Sequence, residues 1–255
     1  MREALKNMLV MVELELRRLR HDRTEIYFRA VQPVLWIVIY GPVMSSVRAI
    51  PTPNGVPYTD FITPGVMIQT TTFVSIFYGL TMVWERDSGI LKKLLVTPAS
   101  RYSTVIGRSM ASGVRATFQA LIIIPIALII GVKFAPNAAY FILAFAVVFF
   151  ASGGFAAISI LVASFMKTRE RFMGIGQAII MPLFFASNAL YPMQIMPRVL
   201  QDFSAFNPLS YVVDAVRGLL ITGDLSGLPL DLAAIAIFDA VLFVLASISF
   251  RRIIE

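Results

Sequence analysis

Six long runs of apolar residues decide what this sequence can fold into. A helix needs roughly 20 mostly apolar residues to cross about 30 Å of hydrocarbon, and each run is about that length or longer. None alternates polar and apolar residues as the strands of a membrane barrel do. The runs are Ala30–Val47, Phe61–Trp84, Val105–Val132, Ala138–Met166, Phe172–Tyr191 and Leu230–Phe250. We therefore predict an all-α integral membrane protein with six transmembrane helices, forming a single domain over residues 1–255.

The composition excludes an ordinary soluble enzyme. Hydrophobic residues make up 58% of the chain and charged residues only 15%, whereas soluble domains average about 45–50% and about 25%. The sequence contains no cysteine and one histidine, His21, so we predict no metal site and no disulfide framework. It also lacks the G-x-x-x-x-G-K-[ST] phosphate loop, and we do not expect this chain to hydrolyse ATP by that route.

The net charge of +7 would suit nucleic acid or anionic lipid, and the positions of the charges choose between them. Six spans place both termini and the second and fourth connections on one side, which then carries 17 of the 22 Lys and Arg residues. This asymmetry predicts a multi-pass protein of the cell membrane with both termini cytoplasmic. Membrane lipid is an expected partner, and nucleic acid is not.

Two cytoplasmic segments have the pattern of amphipathic helices. In residues 1–25 the apolar residues recur at helical spacing, which predicts a helix lying along the membrane interface. It could act as a lever on the first span or as a simple anchor. Residues 86–98 form a second short amphipathic segment that ends at Pro98. It could dock into a groove on a soluble partner or lie on the bilayer.

Residues 192–228 form the longest connection on the predicted outer side. The sequence predicts two short helices here, separated by Asn207 and Pro208. Asp214 and Arg217 lie three residues apart and are expected to pair on the second helix. Broken apolar segments of this kind enter the membrane where protein covers them. A re-entrant gate and a plain extracellular cap both fit the pattern.

Two charged residues are predicted to lie within the membrane. Arg115 lies about ten residues into the third span and Asp239 about nine residues into the sixth. A lone charge at such depth costs at least about 2.5–3.5 kcal/mol, so both should face the bundle interior, and we hypothesise an ion pair between them. A role in the substrate path is the alternative. In the fourth span, Ser152, Gly153 and Gly154 provide a small face for close packing.

Three motifs in order resemble the ABC-2 family of export permeases, the membrane subunits of ABC transporters. The first is Glu85-Arg-Asp-Ser-Gly-Ile-Leu-Lys-Lys-Leu-Leu-Val-Thr-Pro98, continuing to Ile106-Gly107-Arg108, an acidic, glycine-containing stretch before a leucine-rich helix and Thr-Pro. The second is Tyr58-Thr-Asp-Phe-Ile-Thr-Pro-Gly65. The third runs from Tyr191-Pro192 through Phe206-Asn-Pro-Leu-Ser-Tyr211 to Arg217. Daunorubicin-type drug exporters and nodulation-type lipo-oligosaccharide exporters are the most similar members.

This resemblance implies an ATP-driven exporter of a hydrophobic drug, a lipid or a lipid-linked glycan. A separate ABC-type subunit would bind ATP and magnesium, and a second permease, expected to be an identical copy, would complete the path. This chain would hold no cofactor and no catalytic residue. Coupling to the ATPase would fall to Glu85, Arg86, Ile90, Leu91, Leu94 and Leu95. For the translocation path or dimer surface we select Gln69, Phe73, Arg115, Gln177 and Asn188. The outer gate would contain Tyr191, Pro192, Asn207 and Pro208.

Two other classes of function remain open on the sequence alone. A secondary transporter driven by an ion gradient could be built from three plus three inverted spans, but Asp239 is the only clear intramembrane acid available to it. A membrane enzyme would need acidic or histidine residues clustered at one depth, and the sequence offers no such cluster.

Overall fold

The computed structural model is all-helical over the residues that it describes, which are 10–17, 21, 23–47, 50–88, 101–166 and 168–250. Residues 10–17 are helical. The main helices that follow are α1 (Arg23–Leu35), α2 (Gly41–Val47), α3 (Tyr58–Tyr78), α4 (Leu80–Asp87), α5 (Arg101–Ile130), α6 (Ala138–Phe165), α7 (Arg169–Phe185), α8 (Arg198–Phe206), α9 (Pro208–Arg217) and α10 (Leu228–Ser249). A π-helical turn, Trp36–Tyr40, joins α1 to α2, and another, Gly218–Thr222, extends α9.

Five helical stretches in the described part of the chain are long and apolar enough to cross a membrane. They are Phe28–Val47, Tyr58–Arg86, Tyr102–Ile130, Ala138–Phe165 and Leu228–Ser249. The remaining predicted span, Phe172–Tyr191, forms α7, which has 17 residues and ends at Phe185. This is shorter than the roughly 20 residues that a span requires, so the count of six crossings stays a prediction.

The second predicted span forms the centre of the bundle. Within Tyr58–Arg86, 78% of the most apolar window is buried, against 22% for Phe28–Val47 and for Leu228–Ser249. Helix α3 packs on α5 and α6, and α10 also packs on α6. The outer helices therefore expose apolar faces, as expected for segments surrounded by lipid rather than water.

Glycines allow close approach between segments inside the bundle. A Cβ atom on Gly65 of α3 would lie 2.8 Å from Cα of Ala189, and only glycine fits this backbone contact. A Cβ atom on Gly154 of α6 would overlap the side-chain carboxylate of Asp239 on α10. The predicted small face of the fourth span is thus confirmed, because α10 crosses α6 at Gly154.

We predict that Gly65→Ala destabilises the protein by about 1–3 kcal/mol, the typical cost of overpacking a well-packed interior. The added methyl group meets backbone atoms of Ala189, which cannot rotate away. The measurement is the unfolding free energy of the purified chain in detergent micelles.

The matched control is Gly174→Ala in α7, where the added methyl group meets nothing within 4 Å. Because alanine favours helix over glycine by roughly 0.5–1 kcal/mol, this variant should be as stable as the wild type or more so. Equal effects of the two substitutions would contradict the close packing at Gly65.

Candidate functional sites at the two ends of the bundle

Three contacts surround the point where the chain leaves α4 and returns at α5. Arg108 forms a short ion pair with Glu85, and both side chains are largely buried. Arg86 donates to the carbonyl oxygen of Met166 at 2.8 Å. The guanidinium of Arg169 lies 4.4 Å from the centre of the Trp84 ring, a cation–π distance. We call these three the loop-base contacts, and the region around them the 88–101 end of the bundle.

The loop-base contacts join α4, α5 and the connection from α6 to α7. Glu85 and Arg86 belong to α4, Arg108 to α5, and Met166 and Arg169 flank the connection from α6 to α7. They fix both ends of the segment between α4 and α5. Four residues predicted to contact an ATPase lie outside the described residues: Ile90, Leu91, Leu94 and Leu95.

The N-terminal helical segment inserts a carboxylate into the bundle. Glu15 is only 1% exposed, and its carboxylate accepts from Arg115 of α5 at 2.6 Å. The Tyr78 hydroxyl donates to the same carboxylate at 3.4 Å. Neighbouring apolar residues Leu14 and Leu16 are exposed. The face of this helical segment that contacts the bundle is therefore polar at Glu15. Its predicted location along the membrane interface stays a prediction.

The hypothesis of an ion pair between Arg115 and Asp239 is wrong. Arg115 pairs with Glu15, whereas Asp239 packs against Gly154 of α6. Oδ1 of Asp239 is buried and makes no hydrogen bond to any residue that the structure describes. Comparable depth in two spans did not bring the two side chains together, because each helix turns its charge toward a different neighbour.

At the other end, Arg217 of α9 joins three segments of the chain. Its guanidinium donates to the carbonyl oxygens of Asn188 at 2.8 Å and Phe61 at 3.3 Å, and it lies 3.9 Å from the centre of the Phe61 ring. The expected pair with Asp214 is confirmed at 3.1 Å. Burial lowers the pKa of Arg217 to about 10, and Asp214 opposes this shift. Arg217 is therefore charged at neutral pH.

A cavity of about 500 Å³ opens beside Arg217. We call it the Arg217 cavity, and the region around it the 186–228 end. Its charged lining residues are Asp214, Arg217, Asp224 and Asp231. Apolar walls include Phe61 and Leu228. A volume of this size falls within the range of ligand-binding pockets, roughly 300–1,000 Å³.

The predicted gate residues lie at this end. Asn207 is buried, and its amide nitrogen donates to the carbonyl oxygens of Leu183 at 2.7 Å and Ala186 at 3.2 Å. Its side-chain oxygen caps α9, which begins with Pro208. Pro192 lines the Arg217 cavity, and the Tyr191 hydroxyl donates to the carbonyl of Phe185. These contacts attach the broken segment to the end of α7; a gating role stays a prediction.

The five residues selected for the translocation path or dimer surface do not form one site. Gln69 is buried in α3, and Phe73 packs against the Phe77 ring with centroids 4.5 Å apart. Gln177 is partly buried in α7. Arg115 is paired with Glu15 at the middle of α5, and Asn188 lines the Arg217 cavity at one end of the bundle.

Sequence reasoning missed the partners of the buried arginines. Glu15 gave no signal beyond its charge, because it pairs with a residue 100 positions away in the chain. Arg108 ends the first family motif, but the motif does not indicate that Arg108 pairs with Glu85. Phe61 contacts Arg217 through its ring and its backbone carbonyl oxygen. Every residue has a backbone carbonyl, so the sequence does not indicate which one will accept a hydrogen bond from Arg217. Asp231 could have been noticed as an acid in the first turn of the last span.

We predict that Glu15 and Arg115 are energetically coupled. A double-mutant cycle of Glu15→Gln and Arg115→Met should give a coupling energy above about 1 kcal/mol, within the range for contacting residues. Arg115→Met combined with Asp239→Asn should be additive. Unfolding free energies of the purified chain in micelles provide the measurement.

The control pair is Glu13 and Arg17, whose side chains are 60% and 77% exposed. Glu13→Gln with Arg17→Met should give no more than about 0.5 kcal/mol, as for exposed pairs one helical turn apart. A Glu15–Arg115 coupling no larger than this control would show that the buried pair contributes nothing specific.

Comparison with known proteins identifies the family. The family model for the ABC-2 type transporter matches residues 6–221. The chain is 27% identical over 218 residues to the putative transport permease ycf38 of Cyanophora paradoxa, covering 84% of this chain and 74% of that protein. It is 25% identical over 208 residues to the probable doxorubicin resistance ABC transporter permease protein DrrC of Mycobacterium tuberculosis, with 82% and 74% covered.

A further relative is the probable multidrug ABC transporter permease YbhR of Escherichia coli, which is 29% identical over 167 residues. That alignment covers 64% of this chain and 44% of YbhR, so the chain spans less than half of this relative. The membrane-spanning helices and the match over most of the chain lead to one assignment. The protein belongs to the ABC-2 type transporter family, as a multi-pass membrane subunit that is not itself the ATPase.

Proposed function

We propose that this chain is the permease of an ATP-driven exporter in the cell membrane. A separate ABC-type subunit would bind and hydrolyse ATP with magnesium and power transport. Family membership supports this proposal, as do relatives whose names record doxorubicin resistance and multidrug transport. The cargo would be a hydrophobic drug, a lipid or a lipid-linked glycan moving outward.

We propose six membrane crossings with both termini in the cytoplasm. Helix α7 begins with Arg169, which contacts Trp84 at the 88–101 end. Soon after α7 ends, the carbonyl of Asn188 contacts Arg217 at the 186–228 end. These two contacts support a crossing by this part of the chain, although α7 itself is short. Helix α10 returns to the 88–101 end, where Phe250 packs with Met82.

The loop-base contacts carry the proposal for coupling. A docked ATPase would move residues 86–98, and that movement would have to reach the spans. A displacement of Glu85 would move α5 through the ion pair with Arg108. A displacement of Arg86 would move the α6–α7 connection through the hydrogen bond to Met166. Buried ion pairs and charge-assisted hydrogen bonds are short and have defined geometry. A movement of one partner would therefore move the other.

We propose further that two copies of the chain form the transport path between them. The first and last spans support this, because both expose apolar side chains along their outer faces, such as Leu35 and Val38 or Val241 and Val244. A second copy and lipid tails would share these surfaces. Small and apolar contacts suffice for helix association in a membrane.

Leu91→Asp with Leu94→Asp tests the coupling assignment. Aspartates in place of these two leucines should abolish docking of residues 86–98 on the ATPase, because burying a carboxylate in an apolar groove without a partner is very costly. The permease and the ATPase are co-expressed, and the ATPase recovered with the tagged permease is measured.

Leu91→Met with Leu94→Met is the matched control, because it conserves volume and apolar character. The ATPase should still be recovered with this variant. Vesicles containing the variant and the ATPase should still show transport that depends on ATP and not on a proton gradient. Unchanged ATPase recovery and transport in the aspartate variant would refute the coupling assignment.

A further inference from the structure

The Arg217 cavity is lined by more carboxylates than its guanidinium pairs with. Three carboxylates and one guanidinium line it: Asp214, Asp224, Asp231 and Arg217. Arg217 pairs with Asp214. Asp224 and Asp231 form no ion pair with any residue that the structure describes.

A backbone group holds one of the unpaired carboxylates in the anionic form. Asp224 accepts from the backbone N–H of Ser226 at 2.9 Å, and this hydrogen bond lowers the pKa of Asp224. Asp231 lies in the first turn of α10. The cavity therefore presents carboxylates from two neighbouring segments, the loop before α10 and α10 itself, to whatever enters it.

One buried polar group at the cavity also lacks a partner. Asn188 is 4% exposed, and its Oδ1 has no hydrogen-bond donor among the described residues. A buried acceptor without a donor is unfavourable. Asp231, which is 7% exposed, lines the same cavity. A ligand with an N–H or O–H donor would satisfy Asn188 Oδ1, and positive charge on the ligand would suit the carboxylates.

The lining favours an organic cation over a metal ion. The described residues contain no group of three or more side chains arranged to hold a metal. Phe61, Tyr211 and Leu228 instead form apolar walls beside the carboxylates. Aromatic and apolar walls with anionic groups suit an alkylammonium, whose charge is spread over carbon.

We propose that the Arg217 cavity binds the ammonium group of a cationic, partly apolar molecule, with Asp231 as its main counter-charge and Asp224 as a second. Asn188 Oδ1 would accept an N–H where the ammonium carries one. The inference rests on the proposed function only in placing the cavity on the export route. The binding site itself is independent of ATP.

Equilibrium binding of tritiated benzyltrimethylammonium to the purified full chain tests the proposal, without ATP or the ATPase. We expect saturable binding that Asp231→Asn weakens by about tenfold, as when a charged partner is lost. Asp231→Glu keeps the charge and should retain binding. Asp224→Asn, at an exposed loop position, should weaken binding by a smaller factor and leave folding intact.

Asp202→Asn is the control, because Asp202 lies on α8 and does not line this cavity; its binding should equal that of the wild type. Excess benzenesulfonate, an anion of similar size, should not displace the probe. Absent saturable binding, equal binding in both cavity variants, or displacement by magnesium chloride alone at low concentration would overturn the proposal. Charge-dependent binding without ATP-driven transport would instead contradict only the proposed function.

Discussion

A charged side chain surrounded by apolar helices has to find its counter-charge inside the protein, and this constraint organises the structure. Glu15 reaches Arg115 from 100 residues away, and Arg108 reaches Glu85 across the segment between α4 and α5. Arg217 is held by carbonyl oxygens from two other segments. Removing one partner of a buried pair costs about 3–5 kcal/mol, so these contacts fix how the apolar helices are oriented.

The central helices connect the two ends that these charges define. The N-terminal part of α3 provides the Phe61 carbonyl to Arg217, and α4 provides Glu85 and Arg86 to the loop-base contacts. The two helices meet at Gly79, where Ser159 of α6 donates to the carbonyl of Ile76 at 2.6 Å. A Cβ on Gly79 would lie 2.8 Å from the Ser159 carbonyl oxygen.

Local sequence patterns predicted the helices and the contacts within them. The predicted run Ala138–Met166 corresponds to α6, Ala138–Phe165, because long apolar stretches in lipid have no alternative to helix. The Asp214–Arg217 pair was predictable because three residues place two side chains on one helical face. The Asn207–Pro208 break between α8 and α9 is confirmed for the same local reason.

Contacts between distant segments could not be predicted in the same way. Arg115 was expected to face the interior, but its partner depends on how α5 is rotated and on where the N-terminal helix lies. Phe172–Tyr191 is one apolar run in the sequence, yet the helix ends at Phe185, where the Asn207 side chain donates to the carbonyls of Leu183 and Ala186. Orientation and pairing of this kind are decided by packing, which one sequence does not encode locally.

In the proposed exporter, the Glu85–Arg108 pair links the segment that docks on the ATPase to the spans. This link is tested most directly by ATP-driven transport in vesicles containing permease and ATPase. The variants are Glu85→Arg, Arg108→Glu and the double variant that exchanges the two residues. Each single change leaves two like charges facing each other and should reduce transport strongly, whereas the double exchange should restore a large part of it. Normal transport by both single variants would contradict the claim.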